Sequence, residues 1–165
     1  MTVASARQHV DNHTFISHNV ARCESNEMFK YVLNDQSVGA FAGKVLVKEN
    51  CPRTVAYQGN RNIVASADAK MYSKPQLEIY TDDVKCSHGS ATGQLNEEAL
   101  FYMRSRGISE AEARQLLMQA FMSDVIDAVR LPALKDRLHH LVEKRFRGQL
   151  AMCADCPAAN CAAAK

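Results

Sequence analysis

A cysteine and a histidine two residues apart, Cys86 and His88, are the side chains whose types and spacing best suit chemistry. Because side chains alternate between faces along a strand, both point the same way if this run is extended. A thiolate beside an imidazole suits a soft metal or an iron–sulfur species. Two ligands are nevertheless an incomplete metal site. The spacing also fits an inward row of Val84, Cys86 and His88, and on spacing alone we favour this structural interpretation.

Three further cysteines, Cys153, Cys156 and Cys161, lie in an alanine-rich C-terminal end. A CxxC pair such as Cys153 and Cys156 can bind zinc or act in redox chemistry. No second pair with matching spacing accompanies it, and the flanking sequence lacks the strand–helix pattern of a redox fold. We therefore predict a flexible tail over residues 151–165 rather than a metal site.

The composition is that of an ordinary globular protein: 165 residues, 47% of them hydrophobic and 23% charged. The net charge of +2 is too small to indicate a nucleic-acid partner or an anionic membrane, and no apolar run is as long as a membrane span. The N-terminus does not resemble a signal peptide, so the six cysteines indicate reduced thiols rather than a disulfide framework. We expect a cytoplasmic protein, and an organellar interior fits equally well.

From about residue 9 to residue 92 the sequence has the pattern of short strands separated by turns. The predicted strands are 14–17, 29–33, 40–47, 54–58, 63–66, 70–73, 77–81 and 84–88. The predicted turns are 34–35, 49–52, 59–60, 74–75 and 82–83. Strands that recur about every ten residues without intervening helices predict an all-β layer.

Two architectures fit these strands. A β-sandwich is the default for an all-β layer, and a solenoid is the rival, because in a solenoid each strand pairs with the one a full coil later. The tight corners of a solenoid are slightly better matched by the small residues of 37–43 and by the polar residues at predicted turns, Asn60, Asn62, Ser66 and Ser73. The pattern alone does not choose between the two architectures.

After residue 93 the apolar residues follow the period of a helix. Asn96 is a suitable N-cap for a first helix, and Gly107 lies where a C-terminal left-handed glycine belongs. A second helix begins with a capping box, in which Ser109 is followed three residues later by Glu112. Its apolar stripe predicts that it runs to about Arg130.

A third helix begins at Pro132, which suits the first turn, and Gly148 ends it. Joined at Arg130, Leu131 and Pro132, the second and third helices form an antiparallel hairpin. The predicted inward residues are Ala113, Leu116, Leu117, Ala120, Phe121, Val125 and Val129 on the second helix, and Leu134, Leu138, Leu141, Val142 and Phe146 on the third. Two helices alone bury little area, so we expect their outer faces to contact a partner.

The run that carries Cys86 and His88 resembles the C-terminal part of the SufD branch of the SufB/SufD family, which acts in iron–sulfur cluster assembly. The resemblance is ordered and nearly gapless over residues 73–108. It rests on the segments SKPQLEIY (73–80), DVKCSHG (83–89), GQL (93–95), EALFY (98–102) and SRGI (105–108). Weaker matches extend it to about residues 9–150. Gly89 favours the SufD branch, because the SufB branch typically carries Glu there.

The resemblance implies a right-handed parallel β-helix over residues 1–93, followed by a helical domain over residues 94–150. It implies a scaffold subunit without catalytic turnover, whose β-helix pairs with a SufB-type subunit. Its helical domain would bind a SufC-type ATPase, which supplies the ATP hydrolysis. His88 matches the family's histidine at the SufB–SufD interface, where a nascent iron–sulfur cluster forms with a SufB cysteine, and Cys86 matches the neighbouring cysteine. No cofactor is expected to bind stably.

Full family members are much longer, so we expect the chain to be a piece of a longer protein or a shortened gene product. Its first coil would then expose strand edges, which invite pairing with a second chain. Because most homo-oligomers close with two-fold symmetry, we expect a homodimer when the chain is alone. We expect the ATPase contact on the hairpin near Arg130, Leu131 and Pro132.

The residues alone leave two other functions open. In a cysteine-dependent enzyme, Cys86 would be the nucleophile with a histidine as its base, but no third orienting residue can be nominated. In a zinc-binding module, the C-terminal cysteines would hold the metal. ATP hydrolysis by the chain itself is not expected, because the segment from Gly39 to Lys44 lacks the spacing of a phosphate-binding loop.

Overall fold

The structure, a computed structural model, describes residues 1–149. Seven β-strands precede three α-helices: β1 (Thr2–Ala4), β2 (His9–His18), β3 (Glu24–Leu33), β4 (Val38–Val47), β5 (Val55–Val64), β6 (Lys70–Ile79), β7 (Lys85–Gly93), α1 (Glu97–Ser105), α2 (Glu110–Asp127) and α3 (Pro132–Phe146). The chain divides into two compact units between Ala99 and Leu100. The domain limits that the sequence predicts, 1–93 and 94–150, stay predictions.

All pairing among the described strands is parallel. One sheet has the order β1-β3-β5-β7 and the other has the order β2-β4-β6, so the chain alternates between two sheets as it advances. Residues about 30 positions apart therefore lie side by side, as Glu24 does with Val55 and Val55 with Lys85. The strands form a solenoid of about three turns. This confirms the parallel β-helix and rules out a β-sandwich of antiparallel strands.

Three of the predicted turns are confirmed as corners of the coil. Asp35, Asn50 and Asp83 lie in them with positive φ angles of 56°, 58° and 58°. Asn and Asp tolerate this left-handed conformation better than most residues that carry a Cβ. Backbone hydrogen bonds connect one corner to the next, as where the Asn34 N–H donates to the Ala4 carbonyl at 3.0 Å.

Two predicted turns are wrong, because residues 59–60 and 74–75 lie inside the continuous strands β5 and β6. A proline is usually excluded from the middle of a sheet, since it lacks the N–H that the ladder needs. Pro75 is tolerated because β6 is the edge strand of its sheet. Position at the edge, which the sequence does not display, therefore overrides the turn preference of Lys74-Pro75.

The assignment of most of the predicted corner residues to corners is also wrong. Asn60, Asn62 and Ser73 lie within strands, and segment 37–43 belongs largely to β4. The small residues of that segment make room for neighbours instead of bending the chain. A Cβ added at Gly39 would come within 2.8 Å of the Met71 sulfur. These residues are therefore explained by packing inside the coil.

The interior of the coil is apolar in one part and polar in another. On β4 the side chains alternate strictly, and Phe41, Val45 and Val47 are buried. The apolar cluster consists of Ala4, Tyr31, Leu33, Phe41 and Ala69. On β5, by contrast, the inward positions hold the buried polar residues Gln58, Asn60 and Asn62. Polar side chains in this position require hydrogen-bond partners inside the coil.

The predicted helix ends are confirmed at four positions. The Asn96 carboxamide oxygen accepts a hydrogen bond from the Ala99 N–H at 3.0 Å, and the Ser109 hydroxyl accepts one from the Glu112 N–H at 3.3 Å. Positive φ angles at the glycines that follow α1 and α3, 87° at Gly107 and 68° at Gly148, end those helices. No helix within residues 1–149 is long and apolar enough to cross a membrane.

The predicted inward stripe of α2 is out of phase with the structure. The buried residues of α2 are Ala113, Met118, Met122 and Ile126, of which only Ala113 was predicted, and α2 ends at Asp127 rather than near Arg130. On α3 only Val142 is buried. The hairpin itself is confirmed: the Gln115 side-chain amide donates to the Phe146 carbonyl at 2.8 Å, and His139 lies 3.5 Å from Asp127.

Candidate functional site

The predicted pair Cys86 and His88 lies on β7, the last strand of the coil. This strand pairs with β5 and is the edge of its sheet. Cys86 lies beside Ala56, and His88 lies beside Gln58, both of which are buried inward residues of β5. Since parallel strands in register keep their side chains on matching faces, Cys86 and His88 continue the inward row of β5 onto β7.

Cys86 is a partly buried free thiol. Burial raises the pKa of the Cys86 thiol, and a hydrogen bond with the Ala56 backbone offsets part of that rise. At neutral pH the side chain is therefore a thiol rather than a thiolate. Such a group can contact a sulfur or an iron ion after losing its proton, but it is a poor nucleophile in the isolated chain.

His88 is exposed to solvent. Within residues 1–149 the His88 ring makes no hydrogen bond or ion pair. The neighbouring Gly89 has open space around it, since no heavy atom beyond its chain neighbours lies within 4 Å of the position that a Cβ would take. The imidazole is thus accessible from outside the coil. Imidazole nitrogen binds iron and other transition metals and carries protons near neutral pH.

Two polar residues that the sequence did not single out lie in the same row as His88. Glu27 of β3 is in register with Gln58 of β5, which is in register with His88 of β7. The Gln58 side-chain amide donates to the Glu27 carboxylate at 2.7 Å. The sequence pattern that could have predicted this row is the alternation of Gln58, Asn60 and Asn62, which places three polar side chains on one face of a strand. The turn predicted at Gly59-Asn60 interrupts that strand and hides the pattern.

A second polar cluster lies further along the same strands. The Asn60 carboxamide oxygen accepts hydrogen bonds from Asn62 at 2.7 Å, from Ser73 at 2.8 Å and from Ser90 at 3.3 Å. Asn62 also donates to the Thr92 hydroxyl at 3.1 Å. These contacts join β5, β6 and β7, so polar side chains hold together the last turn of the coil.

The predicted partner-binding residues Arg130, Leu131 and Pro132 lie where α2 is connected to α3. All three are exposed, and Leu131 is 66% exposed. The hairpin carries further exposed leucines, namely Leu116, Leu134 and Leu141. These exposed side chains are available for contact with a partner.

The remaining predicted metal ligands are the three C-terminal cysteines. Cys153, Cys156 and Cys161, together with the predicted tail, lie outside the described residues. Within residues 1–149 no group of three or more His, Cys, Asp or Glu side chains is placed to hold a metal ion. Cys86 and His88 stay candidate ligands, and within residues 1–149 no third side chain completes a metal site with them.

The fold of this chain is a parallel β-helix followed by helices. Comparison of its sequence with those of known proteins identifies its family. Residues 1–121 match the family described as SUF system FeS cluster assembly, SufBD core domain. An iron–sulfur cluster assembly SufBD family protein of Synechocystis sp. is 39% identical over 145 residues, which cover 88% of this chain and 32% of that protein. The iron–sulfur cluster assembly protein SufD of Escherichia coli is 36% identical over 138 residues, which cover 84% and 33%.

A SufBD family protein of Mycobacterium leprae is 35% identical over 144 residues, which cover 82% of this chain and 37% of that protein. The chain belongs to the SufBD core family of the SUF system for iron–sulfur cluster assembly. It spans about a third of the length of these relatives.

Proposed function

We propose that this chain is a non-catalytic scaffold subunit of the cytoplasmic Suf iron–sulfur cluster assembly complex. Its β-helix pairs with a SufB-type subunit, and its helical hairpin binds a SufC-type ATPase, which hydrolyses the ATP. A nascent iron–sulfur cluster forms at the interface with the SufB-type subunit, and the chain binds no cofactor stably. Membership of the SufBD core family and the similarity to the SufD protein of Escherichia coli support this proposal.

The observation that carries the proposal is the exposed, unpaired imidazole of His88 on the edge strand of the coil. A core histidine would be buried and hydrogen-bonded, because a buried polar group without a partner costs about 1–3 kcal/mol. An edge strand also presents unpaired backbone groups to a second chain. His88 is therefore available to contribute an iron ligand or a proton carrier to an interface formed along β7.

Cys86 contributes differently from His88. Because burial raises its pKa, the thiol stays protonated at neutral pH and is not the activated nucleophile that a cysteine-dependent enzyme requires. A positively charged iron ion nearby would favour the thiolate. We assign Cys86 a sulfur or metal contact at the interface, formed during assembly.

The experiment that tests the proposal is the replacement His88→Ala in an assembly reconstituted with SufB-type and SufC-type subunits. Cluster formation, followed by visible absorbance, should fall to the background rate. The melting temperature of the chain should stay within about two degrees of the parent, because an exposed side chain contributes little to stability.

Ser87→Ala is the matched control, since Ser87 is an exposed neighbour on the opposite face of β7. It should leave cluster formation unchanged. If His88→Ala lowers the melting temperature by many degrees while the folded fraction assembles clusters normally, His88 is a structural residue and the proposed site is wrong.

A further inference from the structure

Gln58 is a buried residue with a fixed side-chain orientation. It is 3% exposed, and its side chain crosses the interior against β4, where a Cβ added at Gly43 would lie 2.5 Å from the amide nitrogen. That nitrogen donates to the Glu27 carboxylate at 2.7 Å. A carboxylate only accepts hydrogen bonds, so Glu27 determines which end of the amide faces β3. The amide oxygen must therefore face away from Glu27.

The amide oxygen of Gln58 is a buried acceptor for which the described residues provide no donor. Buried polar atoms in native proteins almost always have a partner, and one that lacks it indicates a bound group or a side chain that moves. Glu27 offers no proton, and across the interior Gly43 and the in-register Pro75 have no side-chain donor. The missing donor must come from another neighbour.

The hydroxyl groups of the neighbouring strands do not supply the donor. Ser73 and Ser90 are both engaged with the Asn60 carboxamide oxygen. Three other buried polar atoms are also without a partner, and none of them donates to Gln58: the Thr14 hydroxyl on β2, and the Asn60 amide nitrogen and the Asn62 amide oxygen on β5. On the side of Gln58 opposite Glu27 lies His88, in register on β7.

We propose that Gln58 is a positioning residue for His88. Adjacent strands are about 4.8 Å apart, so rotation of the exposed imidazole toward the coil brings a ring N–H to the Gln58 oxygen. Glu27, Gln58 and His88 then form a continuous hydrogen-bonded row, with the Glu27 carboxylate polarising the amide. The inference rests on the function proposed for His88, and it identifies what orients that residue.

The row determines which ring nitrogen of His88 is available. When one nitrogen donates to Gln58, the other keeps its lone pair and faces the open end of the coil. Metal-binding histidines are commonly oriented in this way, through a hydrogen bond from the second ring nitrogen to a fixed acceptor. The chain would therefore present one defined tautomer of His88 to iron or to a proton at the partner interface.

Nitrogen-15 NMR of the His88 ring tests this inference on the whole chain, with the resonance assigned from its loss in His88→Ala. The replacement Gln58→Met retains the length and burial of the side chain but removes the acceptor. Exchange of the His88 ring N–H with water should become roughly three- to tenfold faster, the factor expected for the loss of one ordinary hydrogen bond. The tautomer population should shift at the same time.

Thr14→Val is the matched control, because it removes a different unpartnered buried polar atom, one on β2 and outside the row of Glu27, Gln58 and His88. It should leave the His88 ring signals unchanged. Glu27→Gln provides a second test that preserves side-chain shape: its amide group can donate to the Gln58 oxygen and compete with His88, so exchange should again be faster. Ring exchange that is unchanged in both Gln58→Met and Glu27→Gln overturns the inference.

Cluster assembly separates this inference from the function on which it rests. If His88→Ala abolishes cluster formation while Gln58→Met leaves the ring signals unchanged, His88 is functional but Gln58 does not position it. If Gln58→Met changes the ring signals while His88→Ala forms clusters normally, the hydrogen bond exists and the proposed function is wrong. If Gln58 positions His88 and His88 serves cluster assembly, Gln58→Met should also slow cluster formation.

Discussion

Gly43 shows at the scale of a single residue how the coil accommodates a polar side chain. Its missing side chain leaves the space that the Gln58 amide fills, and a Cβ there would also lie 2.6 Å from the Phe41 ring. The Gln58 amide is held by Glu27, and Phe41 is 1% exposed, so neither can easily move aside. The glycine is therefore required by close packing rather than by backbone conformation.

The replacement Gly43→Ala should destabilise the chain by about 1–3 kcal/mol, the usual cost of an added carbon in a filled core. Gly89→Ala is the matched control, since this strand glycine has open space around it, and it should change stability by less than about 0.5 kcal/mol. The midpoint of urea unfolding measures both. Equal midpoints for the two variants would show that the coil relaxes around the new methyl group.

The raised pKa of Cys86 predicts slow alkylation at neutral pH. Because the thiolate is the reactive form, a higher pKa leaves less of it at pH 7, and the rate should rise as the pH approaches that pKa. Mass spectrometry of the peptide containing Cys86, after timed exposure to iodoacetamide, gives the rate. Labelling at pH 7 that is faster than that of a small free thiol would contradict the prediction and favour a nucleophilic role.

At the scale of the element, the hairpin separates residues that support its fold from residues available to a partner. Met122 and Ile126 of α2 are buried, whereas Leu131, at the start of α3, is 66% exposed. An exposed leucine contributes little to folding and can be replaced without a large loss of stability. The connection between α2 and α3 therefore allows binding to be tested independently of folding.

The replacement Leu131→Asp should weaken binding of the SufC-type ATPase at least about tenfold, because a charge would have to be buried in an apolar contact. Isothermal titration calorimetry measures the affinity, and circular dichroism should show an unchanged fold. Phe101→Asp is the control, since Phe101 is an exposed apolar residue of α1, outside the hairpin. Equal affinities for the parent chain and Leu131→Asp would place the contact elsewhere.

At the scale of the whole molecule, the β-helix has open sheet edges at its last turn. Strands β6 and β7 each pair on one side only among the described strands, so their outer backbone groups are available to a second chain. We expect the isolated chain to form a homodimer through its β part. Light scattering over a range of concentrations measures this, and a monomer at high micromolar concentration would contradict it.

The turns of the coil and the ends of the helices were largely determined by local sequence. The corners at Asp35, Asn50 and Asp83 and the helix caps at Asn96 and Ser109 were predictable, because backbone strain and unpaired N–H groups act over a few residues. The shared face of Cys86 and His88 on β7 was predictable for the same reason, since strand alternation relates near neighbours. The residue patterns did not choose between sandwich and solenoid; the family resemblance supplied the β-helix.

The tertiary structure alone decided three features that depend on distant residues. Pro75 continues a strand because β6 is an edge, and Gln58 belongs to the row of His88 because residues about 30 positions apart are aligned by the coil. The buried face of α2 includes Met122 rather than Leu116, because a helix that is apolar on several sides does not specify its own buried face. Such choices are made by the partners that pack against each element, which no local pattern contains.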